Sequence, residues 1–432
     1  MIKLSKYTHV IPINSATFAL WNSLWLRVIF VNESTLEAIR TGDPLGIHPA
    51  LLQALNDNNF IADDERDQAK LMEVRRSLPH QSIGLMYLIV TEGCNFGCGY
   101  CFLKDMVCND HAIESMMTFE IAKKAIDLFK KTIEASGAIE EPMIIFYGGE
   151  PLLNWEVIHQ ALIYAREQIP NISFTLNTNG SLITHEIAMV LKEMQVGVAL
   201  SIDGKNHDVY RVNRGGEGTL AQVLAGLKIL QEHGCAVGIS CTVTDANLET
   251  LVDDFLWMID DLGADSVDFN VLLGKEPDEH YKERATAQIL KCYQIGLEKG
   301  VPVERVMRTI EPIIEGRLCL ADCGGCGQQI VCAPDGQLGS CHAFLNDRSF
   351  FFQFEDVPNP DQHELWLEWK TRSPFNIPEC LDCPALGVCG GGCFYNSYLR
   401  DGSVWTVDKV NCTFVTTILQ TALKDMWESM QP

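Results

Sequence analysis

The chain has 432 residues, 47% hydrophobic and 21% charged, which is the balance of a folded protein with two or three domains. Its net charge of −24 excludes nucleic acid as an expected partner, because phosphates would be repelled. The apolar runs are too short to span a bilayer and the N-terminus lacks a signal-peptide core, so we expect a cytoplasmic protein without a membrane partner. In that compartment the 17 cysteines stay reduced and serve metals or redox chemistry.

Residues 1–80 predict a small α+β module. The stretch FALWNSLWLRVIFVN predicts a β-hairpin, and STLEAIRTG and HPALLQALNDNNF predict two helices after it. A hairpin followed by helices indicates a winged-helix-like arrangement. The charged stretch ADDERDQAKLMEVRR predicts a helical linker to the next region.

Residues 81–310 alternate strand and helix patterns in six βα units. Continuous apolar runs are typical of parallel strands that are covered on both faces. Six units rather than eight predict an α/β fold with a partial, TIM-like (β/α)6 barrel, and a doubly wound sheet is the alternative. The six strand-like runs are LMYLIV, MIIFYGG, ISFTLNTNG, VGVALSIDG, AVGISCTVT and SVDFNVLL.

Residues 311–432 form a third region, rich in Gly, Cys and Pro. It shows little periodicity before the final helical stretch FVTTILQTALKDMWESM, and it holds ten of the cysteines. A segment with so little apolar pattern needs other stabilisation, and cysteines can supply it as metal ligands.

Three cysteines follow the first predicted barrel strand with the spacing Cys94-x3-Cys98-x2-Cys101. Structural zinc sites use paired Cys-x2-Cys units with four protein ligands, and no second pair lies nearby. A [4Fe–4S] cluster normally takes four thiolates, so three leave one iron open. An open position is typical of a catalytic metal, which predicts a substrate or cofactor as the fourth ligand.

This spacing, with Tyr100 before the last cysteine and Phe102 after it, resembles the signature of radical S-adenosylmethionine (SAM) enzymes. The resemblance implies a [4Fe–4S] cluster on Cys94, Cys98 and Cys101 whose open iron is chelated by SAM. One electron then cleaves SAM to methionine and a 5′-deoxyadenosyl radical, which abstracts a hydrogen atom from the substrate.

Polar residues after the later strands fit the same family. The segment 148–151, Gly-Gly-Glu-Pro, resembles the family's GGEP motif, which implies contact with the amino group of SAM. TNG after the third strand supplies Asn179 as a candidate for contact with SAM, and SIDG after the fourth resembles positions near the SAM ribose and carboxylate. Arg211 is the expected partner of that carboxylate, and Arg214 is the competing choice. The resemblance assigns the following residues to SAM: Tyr100, Gly148, Gly149, Glu150, Asn179, Ser201, Asp203 and Arg211.

The C-terminal cysteines have a spacing that resembles the SPASM domain of some radical SAM enzymes. It runs Cys326-x9-Gly336-x4-Cys341, then Cys380-x2-Cys383-x5-Cys389-x3-Cys393, and ends with Cys412. Such a domain implies two auxiliary [4Fe–4S] clusters, hence three in the chain, while a zinc ribbon is the alternative. One cluster would take Cys326, Cys341, Cys393 and either Cys319 or Cys323. The other would take Cys380, Cys383, Cys389 and Cys412.

Enzymes with a SPASM domain mostly modify peptides. The favoured interpretation is maturation of a ribosomally made precursor peptide through a thioether or carbon–carbon cross-link. Its leader would bind the N-terminal module, which resembles the leader-recognition element of peptide maturases. The reductant would be a donor such as a flavodoxin or ferredoxin.

Two other functions are considered. Sulfatase maturases form formylglycine with an aspartate after the cysteine that corresponds to Cys341, and this chain has His342 there. The histidine is a candidate catalytic base near neutral pH, or a hydrogen-bonding residue of the loop. The other alternative is a non-catalytic iron–sulfur protein that binds peptide or carries electrons, which the complete set of SAM-facing motifs argues against.

Overall fold

The computed structural model describes residues 2–107, 115–137, 139, 141–273 and 280–431. The chain forms two compact units. The first unit combines Met1–His80, Val306–Cys323 and Lys370–Pro432, and the second unit combines Gln81–Arg305 and Gly324–Trp369. None of the described helices has both the length and the apolar character needed to cross a membrane.

The elements are numbered in chain order. The N-terminal part contains β1 (Thr8–Pro12), β2 (Thr17–Asn22), β3 (Arg27–Asn32), α1 (Glu33–Thr41), α2 (Pro49–Asp57) and α3 (Asp64–Ser77). The central part contains β4 (Leu85–Thr91), α4 (Lys104–Val107), α5 (Phe119–Ser136), β5 (Met143–Gly148), α6 (Trp155–Gln168), β6 (Ser173–Thr178), α7 (His185–Glu193), β7 (Val196–Ser201), α8 (Leu220–Glu232), β8 (Val237–Val243), α9 (Leu251–Leu256), β9 (Ser266–Val271) and α10 (Tyr281–Lys299). The C-terminal part contains α11 (Glu304–Glu315), β10 (Gln329–Cys332), β11 (Leu338–Gly339), β12 (Phe351–Phe352), α12 (Glu364–Lys370), α13 (Phe394–Asp401) and α14 (Lys409–Ser429).

The first unit begins with an antiparallel sheet in the order β1-β2-β3. Strands β2 and β3 form the predicted hairpin, with Thr17 opposite Asn32. Asn32 also starts α1, because its side chain accepts a hydrogen bond from the Thr35 amide, as an N-cap residue does. Buried apolar residues of the sheet and the first two helices, including Leu20 and Leu55, form the core of this module together with Phe60, which follows α2.

The rest of the first unit comes from the distant C-terminal segments. Leu71 and Val74 of α3 pack in one core with Phe375 and Leu386, so α3 belongs to a packed unit and is not merely a linker. The Arg75 Nε atom donates to the Phe375 carbonyl at 2.9 Å. The predicted division into three consecutive domains, 1–80, 81–310 and 311–432, stays a prediction.

In the second unit, the described residues form a sheet of nine strands in the order β12-β11-β10-β4-β5-β6-β7-β8-β9. The six strands from β4 to β9 are parallel, and each pairs with its neighbour in sequence. A doubly wound sheet would instead place the first strand in the middle. The consecutive order therefore agrees with the predicted α/β fold, and the carboxyl ends of all six strands meet at one edge.

Three short strands extend this sheet and were missed by the sequence analysis. Strand β10 pairs in parallel with β4, Gln329 lying opposite Leu85, and β11 and β12 continue antiparallel. With four, two and two residues they are too short to show a period. The Trp366 indole donates to the Gln329 carbonyl at 2.8 Å and ties α12 to this extension.

Candidate active site

The loop after β4 carries Cys94, Cys98 and Cys101, all half-buried. The Cys101 amide donates to the Cys98 carbonyl at 3.2 Å, which turns the loop back on itself. The Arg214 side chain donates to the Cys94 carbonyl at 2.8 Å and to the Val107 carbonyl at 2.7 Å. The three predicted thiols therefore share one loop whose backbone is held at both ends.

Burial controls the ionisation of these thiols. It raises the pKa of Cys94 to about 12, and charge on Cys98 and Cys101 would add to the rise. Burial also raises the pKa of Cys98, against the lowering effect of the neighbouring Arg211 guanidinium. Thiols of this kind keep their protons until a cationic centre replaces them, so metal binding here would release protons.

Three thiols on one loop are a donor set that fits an iron–sulfur cluster. Among the described residues, no three or more His, Cys, Asp or Glu side chains are placed to hold one metal ion. In a [4Fe–4S] cluster each thiolate binds a different iron, so the three sulfur atoms need not converge on one point.

Glu150 follows β5 and is 1% exposed. Its carboxylate accepts hydrogen bonds from the Asn179 amide at 2.8 Å, the Thr178 hydroxyl at 2.7 Å and the Leu152 amide at 3.1 Å. Burial raises the pKa of Glu150 to about 7, although these three donors lower it. A cationic ligand group beside it would favour the ionised form.

The two glycines before Glu150 allow the second loop to approach the cysteine loop. A Cβ atom on Gly149 would lie 2.2 Å from the Gly93 carbonyl oxygen and 2.9 Å from the Cβ atom of Cys94. A Cβ atom on Gly148 would lie 2.3 Å from the Thr91 carbonyl oxygen. Only glycine fits at either position, which gives the predicted Gly-Gly pair its physical reason.

The end of β6 joins this site through amide side chains. Asn179 donates to the Asn95 side-chain oxygen at 2.9 Å and accepts from the Ser181 hydroxyl at 2.7 Å. Asn95 in turn donates to Ser181 at 2.9 Å. The predicted Asn179 is therefore fixed by a residue of the cysteine loop itself.

Asp203, which follows β7, organises a second group. Its Oδ2 atom accepts hydrogen bonds from the Tyr100 hydroxyl and from Arg211 Nε, the latter at 2.9 Å, and its Oδ1 atom accepts from the Thr242 amide at 2.9 Å. The Arg211 guanidinium lies over the Tyr100 ring, 5.5 Å from its centroid. Ser201 ends β7 and is half-buried. The structure thus brings Tyr100, Asp203 and Arg211 together beside Cys98.

The buried side chain of His207 forms a hydrogen bond with the backbone of Asp203. The Asp203 amide donates to His207 Nδ1 at 3.4 Å, and the other ring nitrogen lies 3.1 Å from the Thr219 hydroxyl. Burial lowers the pKa of His207 to about 4, so the ring is neutral at pH 7. A neutral ring can accept this backbone hydrogen bond, whereas a protonated ring cannot.

His342 lies in an aromatic group beside the cysteine loop. Its ring centroid is 4.7 Å from that of Tyr87, 5.0 Å from that of Tyr147 and 6.0 Å from that of Phe102. The Nδ1 atom is buried and has no hydrogen-bond partner among the described residues. Burial lowers the pKa of His342 to about 4. The ring therefore does not titrate near neutral pH, in contrast to the titrating base that the sequence analysis considered.

The C-terminal cysteines fall into both units. In the first unit, charge on Cys412 and Cys383 raises the pKa of Cys380, and charge on Cys412 and Cys380 raises that of Cys389, each after a larger effect of burial. The Cys383 amide donates to the Cys380 carbonyl at 3.0 Å, and the side chain of Asn411, the residue before Cys412, donates to the Cys389 sulfur at 3.5 Å. Charge on Cys323 raises the pKa of Cys393, after the larger effect of burial.

The remaining cysteines have simpler surroundings. In the first unit, the Cys319 thiol donates to the Ala321 carbonyl at 3.4 Å. In the second unit, Cys326 and Cys341 are buried, and the Cys341 sulfur accepts from the Ala343 amide at 3.4 Å. The predicted set of Cys326, Cys341 and Cys393 with one upstream cysteine stays a prediction.

The chain is similar in sequence to a known protein family and to known enzymes. The family description "Radical SAM superfamily" matches residues 88–262, the segment that contains β4 to β8 and the cysteine loop. A Fe-coproporphyrin III synthase of Methanosarcina barkeri is 32% identical over 363 residues, covering 74% of this chain and 85% of that protein. The chain belongs to the radical SAM superfamily.

Two further relatives of this radical SAM enzyme are named for other products. The radical SAM cyclopropyl synthase TigE of Paramaledivibacter caminithermalis is 25% identical, covering 79% of this chain and 74% of that protein. The antilisterial bacteriocin subtilosin biosynthesis protein AlbA of Bacillus subtilis is 27% identical, covering 70% of this chain and 65% of that protein.

Solved structures share the fold. The enzyme anSMEcpe with bound AdoMet (SAM) superimposes with a TM-score of 0.67 at 20% identity, over 80% of this chain and 99% of that one. Streptococcus suis SuiB bound to S-adenosylmethionine superimposes with a TM-score of 0.57 at 16% identity, over 95% of this chain and 98% of that one.

Sequence reasoning missed several residues of this radical SAM site. Asn95 lies inside the cysteine motif, so its position could have drawn attention to it. His207 and Thr178 carry no motif of their own, and their contacts with Asp203 and Glu150 appear only in the fold.

Proposed function

We propose that this radical SAM enzyme is a peptide maturase that modifies a ribosomally made precursor. The observation that carries the proposal is the extent of the SuiB likeness, which covers 95% of this chain against 80% for anSMEcpe. A second SuiB structure, bound to the precursor peptide SuiA, matches with a TM-score of 0.50 at 15% identity. The extra coverage is close in size to the N-terminal module, which favours a leader-binding maturase.

The radical site uses three groups of residues. Cys94, Cys98 and Cys101 would hold a [4Fe–4S] cluster, which supplies the electron that cleaves SAM when both are bound. Glu150, which is buried, would face the amino group of SAM, and Arg211, which is half-buried, would face its carboxylate, since both are held by further hydrogen bonds. The other residues that would bind SAM are Tyr100, Gly148, Gly149, Asn179, Ser201 and Asp203.

Two auxiliary [4Fe–4S] clusters complete the proposal, giving three per chain. The electrostatic effects among Cys380, Cys383, Cys389 and Cys412 support one of them. For the other, with Cys326, Cys341 and Cys393, the effect of Cys323 on Cys393 favours Cys323 over Cys319 as the fourth ligand.

The N-terminal sheet would take the leader of the precursor. Strands β1 and β3 each have only one strand partner in the described sheet, so either edge offers backbone groups to an added strand. Electrons would come from a flavodoxin or ferredoxin in a reducing, cytoplasmic setting that keeps the thiols available.

The product we propose is a thioether or carbon–carbon cross-link. The name of the relative TigE, a cyclopropyl synthase, favours bond formation to carbon. Formylglycine formation is the second candidate, from the resemblance of the C-terminal cysteines to those of sulfatase maturases. His342 is the candidate base in either reaction, because its Nδ1 atom has no hydrogen-bond partner among the described residues. Burial lowers its pKa to about 4 and so weakens it as a base.

The test uses the reconstituted enzyme, SAM, dithionite and the short peptide encoded beside its gene. Mass spectrometry of the product should show the loss of two hydrogens per cross-link, and a leaderless peptide should react poorly. A cysteine that loses its sulfur and two hydrogens and gains one oxygen would support formylglycine formation instead. SAM cleavage with no change in any neighbouring peptide would contradict the maturase proposal.

A further inference from the structure

Arg372 carries a buried positive charge in the first unit. The residue is 1% exposed and its guanidinium donates only to backbone carbonyls. The acceptors are Val404 at 2.5 Å, Gly392 at 3.0 Å, Gly391 at 3.3 Å and Thr406 at 3.3 Å. The Phe394 ring centroid lies 5.5 Å from the guanidinium carbon.

These contacts satisfy the donors of Arg372 but do not neutralise its charge. Within the described part of the chain, no carboxylate lies within the ion-pair distance of 4.0 Å from its guanidinium. The buried carboxylate of this region, Asp408, instead accepts hydrogen bonds from the amides of Cys393 and Val410. A charge taken out of water is costly unless an opposite charge compensates it, so an anion is expected nearby.

The cysteines supply the place for that anion. Gly391 and Gly392 lie between Cys389 and Cys393, and the Gly391 amide donates to the Cys389 thiol while its carbonyl accepts from Arg372. Arg372 also acts on Cys380, where it lowers the thiol pKa against the larger rise caused by burial. The guanidinium therefore holds the backbone between Cys389 and Cys393 through the carbonyls of Gly391 and Gly392.

We propose that Arg372 is the counter-charge of the auxiliary [4Fe–4S] cluster on these four cysteines and raises its reduction potential. Four thiolates make the cluster anionic, and reduction adds one more negative charge. A fixed, buried cation stabilises the reduced form more than the oxidised form. The inference rests on the auxiliary cluster of the proposed function, and it makes Arg372 a positioning and tuning residue.

The test measures the midpoint potential of the auxiliary clusters by anaerobic redox titration with EPR detection. The full-length chain carries Cys94→Ala, Cys98→Ala and Cys101→Ala, so that the radical cluster does not contribute. Arg372→Met removes the charge, and Arg372→Lys keeps the charge but loses the planar fork. Arg75→Met is the matched control, because Arg75 also donates to a backbone carbonyl of the first unit.

The expected result is a more negative potential for one cluster in Arg372→Met, with no shift in Arg75→Met and at most a small one in Arg372→Lys. Loss of about four irons per chain in Arg372→Met, but not in Arg372→Lys or Arg75→Met, also supports the proposed role of the Arg372 charge. An unchanged potential with full iron in Arg372→Met overturns the proposal. Equal iron loss in Arg372→Met and Arg372→Lys also overturns the proposal, because the hydrogen bonds of the planar guanidinium, and not its charge, would then retain the cluster.

Two further variants, Arg372→Lys and Cys383→Ser, cover the case in which Arg372→Met does not fold and test the cluster itself. If Arg372→Met is not recovered folded, full iron and the unaltered potential in Arg372→Lys support the proposal, and iron loss at an unchanged melting temperature overturns it. Cys383→Ser tests the cluster separately. If it removes no iron, the auxiliary cluster assignment fails, whatever Arg372 does.

Discussion

Replacing Glu150 by glutamine tests the electrostatics of the radical site. The carboxyl group is 1% exposed, and burial raises its pKa from the ordinary 4.5 to about 7. At 1.36 kcal/mol per pKa unit, ionising the folded protein costs about 3 kcal/mol more than ionising the unfolded chain. The amide side chain of the Glu150→Gln variant would lose one of the three accepted hydrogen bonds, which costs about 1 kcal/mol.

The pH dependence follows from the direction of the shift. Between pH 4.5 and 7 the folded state keeps a proton on Glu150 that the unfolded chain has released. The free energy of unfolding therefore falls as pH rises through this window and levels off above it. Without SAM, Glu150→Gln should be about 2 kcal/mol more stable than wild type at pH 8 and less stable at pH 4.5.

Denaturant unfolding of wild type and Glu150→Gln at pH 4.5 and 8 measures the difference in their free energy of unfolding. Anaerobic SAM binding measures the effect of Glu150 on SAM affinity. A proton on Glu150 prevents attraction of an ammonium group, so wild-type affinity should fall below pH 7. Glu150→Gln should bind SAM at least about tenfold more weakly at pH 8, since it forms no ion pair. The reasoning is refuted if the variant keeps the wild-type pH slope of stability, or binds SAM equally well.

Two further predictions concern neighbouring residues. Gly149→Ala should lose the iron of the radical cluster, because its Cβ atom would lie 2.2 Å from the Gly93 carbonyl oxygen. Gly97→Ala is the control and should keep that iron, because its nearest contact would be at 3.6 Å. Iron analysis of both variants measures this, and equal iron retention would contradict the close approach of the two loops. The depressed pKa of His207, about 4, should cost the folded state about 3 kcal/mol as pH falls from 6.5 to 4. Denaturant unfolding across that range should show a flatter profile for His207→Gln, and an identical profile would show that His207 does not titrate as described.

The sequence predicted those parts of the fold that depend on local pattern. Strands β4 to β9 are buried and separated by amphipathic helices, so their apolar runs are visible one at a time. Their consecutive order places the ends of the strands, and hence Cys94, Glu150, Asn179 and Asp203, at one edge. Motif and fold therefore agreed there.

Other features depend on contacts between distant segments. Strands β10 to β12 exist because residues 329–352 pair with the edge of β4, which no local period predicts. The packing of α3 with Phe375 and Leu386 is equally remote in sequence. The pKa of His342 depends on desolvation by rings that come from three parts of the chain, so the sequence suggested titration near neutral pH where the structure gives about 4.

The central claim is that Cys94, Cys98 and Cys101 hold a SAM-cleaving cluster. The most direct measurement is iron content and 5′-deoxyadenosine formation, after anaerobic reconstitution, in wild type and Cys101→Ala. We predict about 12 irons per wild-type chain with SAM cleavage, and about four fewer irons with no 5′-deoxyadenosine in the variant. Undiminished 5′-deoxyadenosine from Cys101→Ala, or a zinc-loaded wild type that leaves SAM intact, would contradict the account.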